Sequence, residues 1–426
     1  MMTETIEKIT VDKGLCVSCG ICSGACPVAC ISFDKDRGQY LPRIDHDRCV
    51  HCGVCADVCP SSVKGEDYRR YAQINGCEWR EEEFLWGTHR GCFSAYCKDT
   101  GIREKAVSGG IVTLLVSRLL SRQEYDAAFL VGENQYERQV ESERYTADMR
   151  LDGTPKSRYV PVSHAETIRY MRNHPEEKLI ITGTSCAVHG ILRAIDRLQL
   201  KRSNYLLLGL FCDRCERDSI VDYFKDRRPE KKVTGFYFRT KEQAGWPGNM
   251  KIEYADGENE FIPAQQRMRV KELFQLKRCL YCCDKLNQFA DISLGDDYAS
   301  RESSIQVNGK NLVIFRTEAG ERAMEMIRDD IMIEAVSIEE IKDAQGIQRR
   351  EKNCAYAVLA REELGTQWYP FLKQSISEDI RKSYVAACET IELGMNYPES
   401  SKQIRKHNAR KERKIFYQRL LIKIRG

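Results

Sequence analysis

Eight cysteines near the N-terminus have a spacing that suits metal chemistry. They form two runs of the pattern Cys-x2-Cys-x2-Cys-x3-Cys-Pro between Cys16 and Pro60. Thiolate sulfur ligates the iron of iron–sulfur clusters, and in this pattern the fourth cysteine of each run ligates the cluster held by the other run. The spacing therefore predicts two 4Fe-4S clusters, one ligated by Cys16, Cys19, Cys22 and Cys59 and the other by Cys49, Cys52, Cys55 and Cys26.

The two runs also form an internal repeat, and the repeated unit resembles a bacterial two-cluster ferredoxin. Zinc competes for any Cys-x2-Cys pair, but a zinc site needs two such pairs rather than two runs of four cysteines. A unit this small buries too little apolar surface to fold without its clusters. Cys30 lies outside the pattern, and we interpret it as a small buried thiol packed near a cluster.

Four later cysteines lie beside segments that have the pattern of buried strands. Cys186 follows LIITG and opens a helical segment, Cys212 ends the run YLLLGLF, and Cys279 and Cys282 precede the strand ADISL. Ligands usually bind at the carboxyl ends of strands in α/β sheets, so these four thiols could converge on a third cluster. Two alternatives stay open. Cys215 or Cys283 could replace one of these ligands, and zinc could take the two Cys-x2-Cys pairs formed by Cys212, Cys215, Cys279 and Cys282.

A glycine-rich loop precedes a predicted helix. Residues 108–110 read Ser-Gly-Gly, and an apolar helical stripe follows from Ile111 to Leu119. Open backbone N–H groups in the first turn of such a helix can bind an anion. The loop predicts either a contact to a flavin phosphate or ring, or an N-cap loop without a ligand. No G-x-G-x-x-G and no G-x4-G-K-[ST] occurs, so neither a Rossmann dinucleotide site nor a Walker loop is predicted.

The composition limits the class of protein. The chain has 426 residues, 20 cysteines and a formal net charge of +4, so one or two further domains must accompany the ferredoxin-like unit. The positive charge is local, because residues 401–426 hold ten Lys or Arg against Glu412 alone. The remaining chain is acidic, which argues against nucleic-acid binding. No secretory signal is recognisable and no run reaches about 18 apolar residues, so we expect a cytoplasmic protein with reduced thiols.

The basic C-terminal tail predicts a helix with Phe416, Leu420 and Ile424 on one stripe. A solvated basic helix is one interpretation. Contact with a membrane surface or with an acidic partner is the other.

Seven motifs between about Arg103 and Gly320 carry a family resemblance: SGG, KSRYV, GTSCAVHG, GLFC, RCLYC, ADISLGD and GKNLVIFRTEAG. In this order they resemble the beta subunit of the deazaflavin-coenzyme-reducing hydrogenase and dehydrogenase family, in which a ferredoxin unit also occurs in front. The resemblance implies an iron–sulfur flavoprotein whose mixed α/β domain holds FAD and one 4Fe-4S cluster. It implies that this cluster is ligated by Cys186, Cys212, Cys279 and Cys282. It also implies a set of residues beside the flavin or the cluster, namely Ser108, Gly109, Gly110, Ser157, Arg158, Tyr159, Gly295 and Asp296.

Three positions depart from the family pattern. Ser185 replaces a proline, Arg158 a lysine and Ala187 a glutamine. Because these changes lie beside the implied flavin, the acceptor is either the deazaflavin coenzyme or another conjugated substrate. Members of the family are also encoded beside enzymes of cell-surface polysaccharide biosynthesis. The resemblance therefore also implies a role in that biosynthesis.

We therefore predict an α+β protein with a two-cluster ferredoxin domain (residues 1–66), a connecting segment (67–102), a flavin and iron–sulfur oxidoreductase domain (103–365) and a helical C-terminal region with a basic tail (366–426). The predicted function is electron transfer between 4Fe-4S clusters and a flavin, with a redox partner protein such as ferredoxin and a small-molecule acceptor. One alternative is a non-catalytic electron-transfer subunit or scaffold of a larger complex. Another is a zinc-stabilised interaction domain fused to a ferredoxin. No role is predicted for Cys77, Cys92 or Cys97.

Overall fold

The computed structural model describes residues 5–65, 67–132, 136–154, 156–299, 308–373 and 375–425, with side chains in the last helix described as far as Arg413. The strands are β1 (Ile31–Asp36), β2 (Gln39–Ile44), β3 (Gly91–Cys97), β4 (Ala127–Val131), β5 (Val140–Tyr145), β6 (Val162–Ser163), β7 (Leu179–Thr184), β8 (Tyr205–Leu210), β9 (Val233–Thr240), β10 (Asn249–Tyr254), β11 (Asn259–Ile262), β12 (Ile292–Asp296), β13 (Asn311–Phe315) and β14 (Ile331–Ala335). The α-helices are α1 (Ile21–Ala25), α2 (Val54–Asp57), α3 (Tyr68–Asn75), α4 (Thr100–Lys105), α5 (Ile111–Ser121), α6 (Ala165–Asn173), α7 (Ser185–Arg197), α8 (Ser219–Lys225), α9 (Ala264–Val270), α10 (Glu318–Glu325), α11 (Ile338–Gln345), α12 (Arg350–Leu364), α13 (Glu378–Met395) and α14 (Ser401–Arg425).

The N-terminal unit contains two equivalent loops, each leading into a short helix. Gly20 before α1 and Gly53 before α2 have φ angles of 72° and 76°. Ser18 and His51, which lie between the first two cysteines of each run, also adopt the left-handed conformation. A residue without Cβ is favoured at such a turn. The repeat read from the cysteine spacing is therefore present in the backbone as well.

Within the described residues, nine strands form one large mixed sheet in the order β14-β3-β13-β12-β8-β7-β4-β5-β6. The central strands β12, β8, β7 and β4 run parallel, whereas β13 and β5 flank them in antiparallel orientation. The central strands are buried almost throughout, as expected for parallel strands covered by helices. Their carboxyl ends share one edge of the sheet, where ligands bind in α/β folds. The predicted α+β class with a mixed α/β domain is confirmed.

A smaller antiparallel sheet of β9, β10 and β11 has its own apolar core around Phe236, Met250 and Ile252. It reaches the edge of the large sheet through the end of β9. There Arg239 Nη1 donates a hydrogen bond of 2.7 Å to Asp296 Oδ2, at the end of β12.

The ferredoxin-like unit packs directly on the large sheet and its helices. The two share one hydrophobic core, which includes Leu15, Ile21, Val58, Phe129 and Ile181. Arg193 of α7 donates to the carbonyl oxygen of Cys59 at 2.8 Å. The indole N–H of Trp368 donates to the carbonyl oxygen of Ser62, also at 2.8 Å. The thiols of the small unit are therefore held against the larger domain.

Gly24 of α1 is the tightest point of this contact, and we expect Gly24→Ala to destabilise the protein. A Cβ at Gly24 would lie 2.8 Å from Ile168 Cβ and still nearer to the carbonyl oxygen of Ala165, so α1 and α6 would have to separate. Overpacking of this kind costs about 1–3 kcal/mol. Urea unfolding, monitored by the absorbance of the clusters, measures the loss of stability. Gly101→Ala in α4, where the nearest atom is a flexible Asp99 carboxylate oxygen at 3.3 Å, is the control. Equal stability of the two variants would contradict the expectation.

Beyond β14 the chain is largely helical, and α14 forms the predicted C-terminal basic helix. Ile404 of α14 is buried in the core of the smaller sheet. Glu272 forms an ion pair of 2.9 Å with Lys411. The stripe of Phe416, Leu420 and Ile424 lies outside the residues whose side chains are described. In the described part of the chain, no helix combines the length and apolar character needed to cross a membrane.

Candidate functional site

The thiols of the first predicted set are near neighbours in the ferredoxin-like unit; its members are Cys16, Cys19, Cys22 and Cys59. Burial raises the pKa of Cys22 well above its ordinary value, and the neighbouring Cys19, Cys59 and Cys16 raise it further. The backbone N–H of Ser18 donates to Cys16 Sγ at 3.3 Å, and that of Ser61 donates to Cys59 Sγ at 3.4 Å. Buried thiols that would repel one another as thiolates fit a site for metal ions, which hold such ligands deprotonated.

The second predicted set lies nearer to the surface and lines one small cavity; its members are Cys26, Cys49, Cys52 and Cys55. Cys52 is exposed, and so are its neighbours Val50 and His51. Cys30 lines the same cavity, and its Sγ is 3.6 Å from Cys26 Sγ. The structure thus places the fourth cysteine of each run beside the first three cysteines of the other run. It also places Cys30 beside the second set, as a buried thiol.

The third predicted set lines a cavity of about 680 Å³ at the carboxyl edge of the central strands. Cys186 lies in the first turn of α7 directly after β7, and Cys212 follows the end of β8. Cys279 lies in a 3-10 helix (Lys277–Tyr281), and Cys282 follows that helix. Burial raises the pKa of Cys212 well above its ordinary value, with further increases from Cys279, Cys186 and Cys282. The carboxyl ends of β7 and β8 and the loop that precedes β12 therefore bring the four thiols together.

Two further thiols, Cys215 and Cys19, line the same cavity. Cys19 belongs to the first set, so one wall of the cavity reaches the ferredoxin-like unit. The backbone N–H of His164, another wall residue, donates to the carbonyl oxygen of Cys19 at 2.8 Å. The first and third sets are thus adjacent.

Cys283 points away from the cavity. It is fully buried in the core, and its Sγ lies 3.4 Å from Cys354 Sγ of α12. Of the two alternative ligands, the structure therefore keeps Cys215 beside the third set and removes Cys283 from it. Within the described ranges, no three His, Cys, Asp or Glu side chains are arranged to hold a single metal ion.

A buried arginine lies beside the third set of thiols. Arg350 of α12 is 4% exposed, and its Nη2 donates to the carbonyl oxygen of Cys212 at 3.0 Å while Nη1 donates to that of Cys282 at 3.3 Å. Burial would lower the pKa of Arg350, but Cys282, Asp213 and Cys212 raise it above its ordinary value. Buried cations beside thiols fit a cluster whose four thiolates give it net negative charge.

Seven of the eight residues assigned by resemblance to the flavin or cluster side line this cavity: Ser108, Gly110, Ser157, Arg158, Tyr159, Gly295 and Asp296. Gly109 lies behind the wall. A Cβ there would be 2.8 Å from the carbonyl oxygen of Ala95, so only glycine allows the loop to approach β3 so closely. Gly110 is the N-cap residue of α5 and has a φ angle of 82°. The thiols and the implied flavin residues therefore share one cavity.

Asp296 holds this wall together through its hydrogen bonds. Oδ2 accepts from Arg239 at 2.7 Å and from the Tyr298 hydroxyl at 3.2 Å, and Oδ1 accepts from the Trp246 indole at 3.1 Å. Burial would raise the pKa of Asp296, but Arg239 holds it below its ordinary value. Arg239 also donates to the carbonyl oxygen of Val107, directly before the Ser-Gly-Gly loop. Both carboxylate oxygens already have protein partners, so Asp296 acts by positioning Arg239 and the loop.

The charge and size of the cavity fit a phosphate-bearing cofactor beside a cluster. Among the described residues, its wall contains nine Lys or Arg side chains against five Asp or Glu. An excess of basic groups favours anions such as the diphosphate of FAD. The volume lies within the roughly 300–1,000 Å³ of ordinary cofactor sites. The residues present therefore fit a flavin dinucleotide.

Sequence reasoning missed several residues of this site. Arg239 lies on a strand of the smaller sheet, and Arg350 lies on a helix far along the chain. Neither belongs to a motif with metal or flavin spacing. Cys215 was not missed, because its Cys-x2-Cys spacing from Cys212 marked it as an alternative ligand.

Comparisons with known proteins show the family of this chain. Residues 92–169 match the N-terminal model of the coenzyme F420 hydrogenase/dehydrogenase beta subunit, and residues 176–341 match its C-terminal model. The chain belongs to this family. Residues 15–63 match a 4Fe-4S dicluster domain, so the family domain here follows an iron–sulfur unit.

Two curated relatives are oxidoreductase components. One is a component of the F420H2 dehydrogenase of Methanosarcina mazei, 23% identical over 341 residues, which is 76% of this chain and 85% of that protein. The other, the coenzyme F420-dependent sulfite reductase of Methanocaldococcus jannaschii, is 24% identical over 372 residues, which is 81% of this chain. This chain spans about half, 52%, of that reductase. Together with the 4Fe-4S dicluster match, the family match makes the chain an iron–sulfur redox protein of the family.

A solved structure of the F420-reducing [NiFe] hydrogenase complex from Methanosarcina barkeri contains a similar chain. The TM-score is 0.49 at 20% sequence identity, over 66% of this chain and 93% of that one.

Proposed function

We propose that the protein is an iron–sulfur flavoprotein oxidoreductase that passes electrons between the N-terminal clusters and FAD. The observation that carries the proposal is the single cavity of about 680 Å³. Its wall contains the third set of thiols, the implied flavin residues and Cys19 of the first set. A protein that only carried clusters would have no need of a basic cavity of cofactor size in contact with them.

The burial of the three thiol sets supports an electron path that runs from the protein surface to the cavity. Cys52 of the second set is exposed, Cys22 and Cys59 of the first set are buried, and Cys19 of the first set borders the cavity. The clusters would supply one-electron transfer, and the flavin would convert between one-electron and two-electron chemistry. The protein's own groups fix positions and charge: Arg350 lies beside the third set, and Arg239 anchors the loop that would contact the flavin.

The acceptor is either the deazaflavin coenzyme or another conjugated small molecule. Both curated relatives carry the deazaflavin coenzyme in their names, which supports the first choice. Ser185, Arg158 and Ala187 line the cavity and depart from the family pattern, which supports a different acceptor. Reducing the anaerobic protein with low-potential ferredoxin and screening acceptors for flavin reoxidation would identify it.

We expect the anaerobically purified protein to contain about twelve irons and one FAD per chain, because three 4Fe-4S clusters and one flavin site are proposed. Iron assay, flavin extraction and the visible spectrum check this. Eight irons without flavin would contradict the proposal and favour a non-catalytic electron-transfer subunit. One zinc with eight irons would instead favour a zinc-stabilised interaction domain.

A further inference from the structure

Five thiols of the larger domain line the cavity, although a 4Fe-4S cluster needs four ligands. We propose that Cys215 is the thiol that does not bind iron, and that it positions the flavin-side residue Tyr159 against the ligand Cys279. In this role Cys215 sets the reduction potential of the third cluster. The inference rests on the proposed function, because it assumes a cluster at Cys186, Cys212, Cys279 and Cys282.

The backbone of Cys215 contacts the cluster side. Its N–H donates to Cys279 Sγ at 3.3 Å. An N–H group that points at a ligand sulfur stabilises the more negative, reduced cluster and so raises its reduction potential. The carbonyl oxygen of Cys215 accepts from the N–H of Leu276 at 3.0 Å, which fixes this peptide beside the loop that carries Cys279.

The side chain of Cys215 contacts the flavin side. Its thiol donates to the carbonyl oxygen of Tyr159 at 3.4 Å, and the same oxygen accepts from the N–H of Glu216 at 2.7 Å. Cys282 makes a comparable contact of 3.6 Å, but only to Asp284 in its own loop. The sulfur of Cys215 therefore joins two separate segments of the cavity wall, and on the flavin side it reaches Tyr159.

Tyr159 is itself firmly held. The Arg267 guanidinium lies 3.8 Å from the centre of its ring, and Arg267 forms a buried ion pair of 2.7 Å with Glu216. Residues 215 and 216 thus link Tyr159 and Arg267 on one side to Cys279 on the other. A change at Tyr159 on flavin binding or reduction reaches the hydrogen bond at Cys279 through this link, since packed segments of this kind move together.

The test compares Cys215→Ala and Cys215→Ser in the full chain, purified anaerobically. We expect about twelve irons per chain in both variants, as from three 4Fe-4S clusters. In Cys215→Ala the third-cluster potential, measured by EPR-monitored redox titration, should shift to more negative values, because the loop loses its anchor on Tyr159. Flavin reduction by reduced ferredoxin should slow about tenfold, the usual scale of such outer contacts. Cys215→Ser should stay close to the unsubstituted protein, because its hydroxyl still donates to Tyr159.

Cys388→Ala on α13, a partly buried thiol that does not line the cavity, is the matched control and should leave the potential unchanged. Loss of about four irons, one whole cluster, in both Cys215 variants would make Cys215 a ligand and overturn the inference. An unchanged potential in Cys215→Ala would overturn it as well. Absence of flavin from the unsubstituted protein would instead overturn the proposed function, while the cluster potentials could still be compared.

Discussion

Replacing Cys279 with serine should lower the iron content from about twelve to about eight per chain and abolish reduction of the flavin by ferredoxin. Cys279 lies in the cavity wall with Cys186, Cys212 and Cys282, and Sγ accepts the N–H of Cys215. A serine oxygen is a poorer ligand for cluster iron than a thiolate. The eight thiols of the ferredoxin-like unit are untouched, so their clusters should still accept electrons. Iron assay measures the first effect, and the absorbance of the flavin after addition of reduced ferredoxin measures the second.

Cys283→Ser is the matched control for this experiment. Cys283 follows Cys282 directly but is buried against Cys354 and does not line the cavity. The variant should keep the iron of all three clusters, with at most a loss of stability from the buried hydroxyl. If Cys279→Ser left the visible spectrum intact and released one zinc, the zinc interpretation would hold and the third cluster would be excluded.

The clusters of the small unit could be predicted because their ligand spacing is local. Two short loops, each turned by a left-handed glycine, bring three thiols together without help from the rest of the chain. The crossing of Cys26 and Cys59 follows from the repeat itself. No local sequence pattern predicts how this unit docks on the larger domain. It depends on contacts such as Gly24 with Ala165 and Trp368 with Ser62, which are far apart in sequence.

The third set could be predicted in outline because Cys186 and Cys212 follow parallel strands whose carboxyl ends share one edge of the sheet. Cys279 and Cys282 precede a strand, so the family resemblance assigned them to the same set. The choice between Cys215 and Cys283 could not be predicted. Cys283 is adjacent to a predicted ligand, yet its side chain enters the core because α12 presents Cys354 there. Side-chain direction in a short loop depends on what packs against it, and here the packing partner lies far along the chain.

The Arg239–Asp296 pair is a second feature of the site that could not be predicted from the sequence. Sequence resemblance placed Asp296 beside the flavin or the cluster, and the cavity wall includes it. Its role follows only from the fold, because its partner arrives on β9 of a different sheet. Propensity and periodicity describe each strand separately and contain no information about this pairing.

Arg239→Met should therefore have a large effect on both stability and flavin binding. Arg239 and Asp296 are 9% and 13% exposed in their side chains and form an ion pair of 2.7 Å. Removing one partner leaves the Asp296 carboxylate buried without its counter-charge, which costs about 3–5 kcal/mol. Loss of the hydrogen bond to Val107 frees the Ser-Gly-Gly loop as well. Urea unfolding and the FAD content after purification measure the two effects.

Two further variants distinguish the effect of Arg239 on the stability of the protein from its effect on the geometry of the flavin site. The double variant Arg239→Met/Asp296→Leu removes both charges, so most of the stability should return while flavin binding stays weak, because the bond to Val107 is still missing. Arg202→Met breaks a similar pair, Arg202 with the buried Asp291 at 2.8 Å, outside the cavity wall. It should destabilise the protein yet retain FAD. Full FAD content in the double variant would mean that Arg239 supports the fold alone, since Arg239, unlike Arg202, lies in the cavity wall and holds the loop.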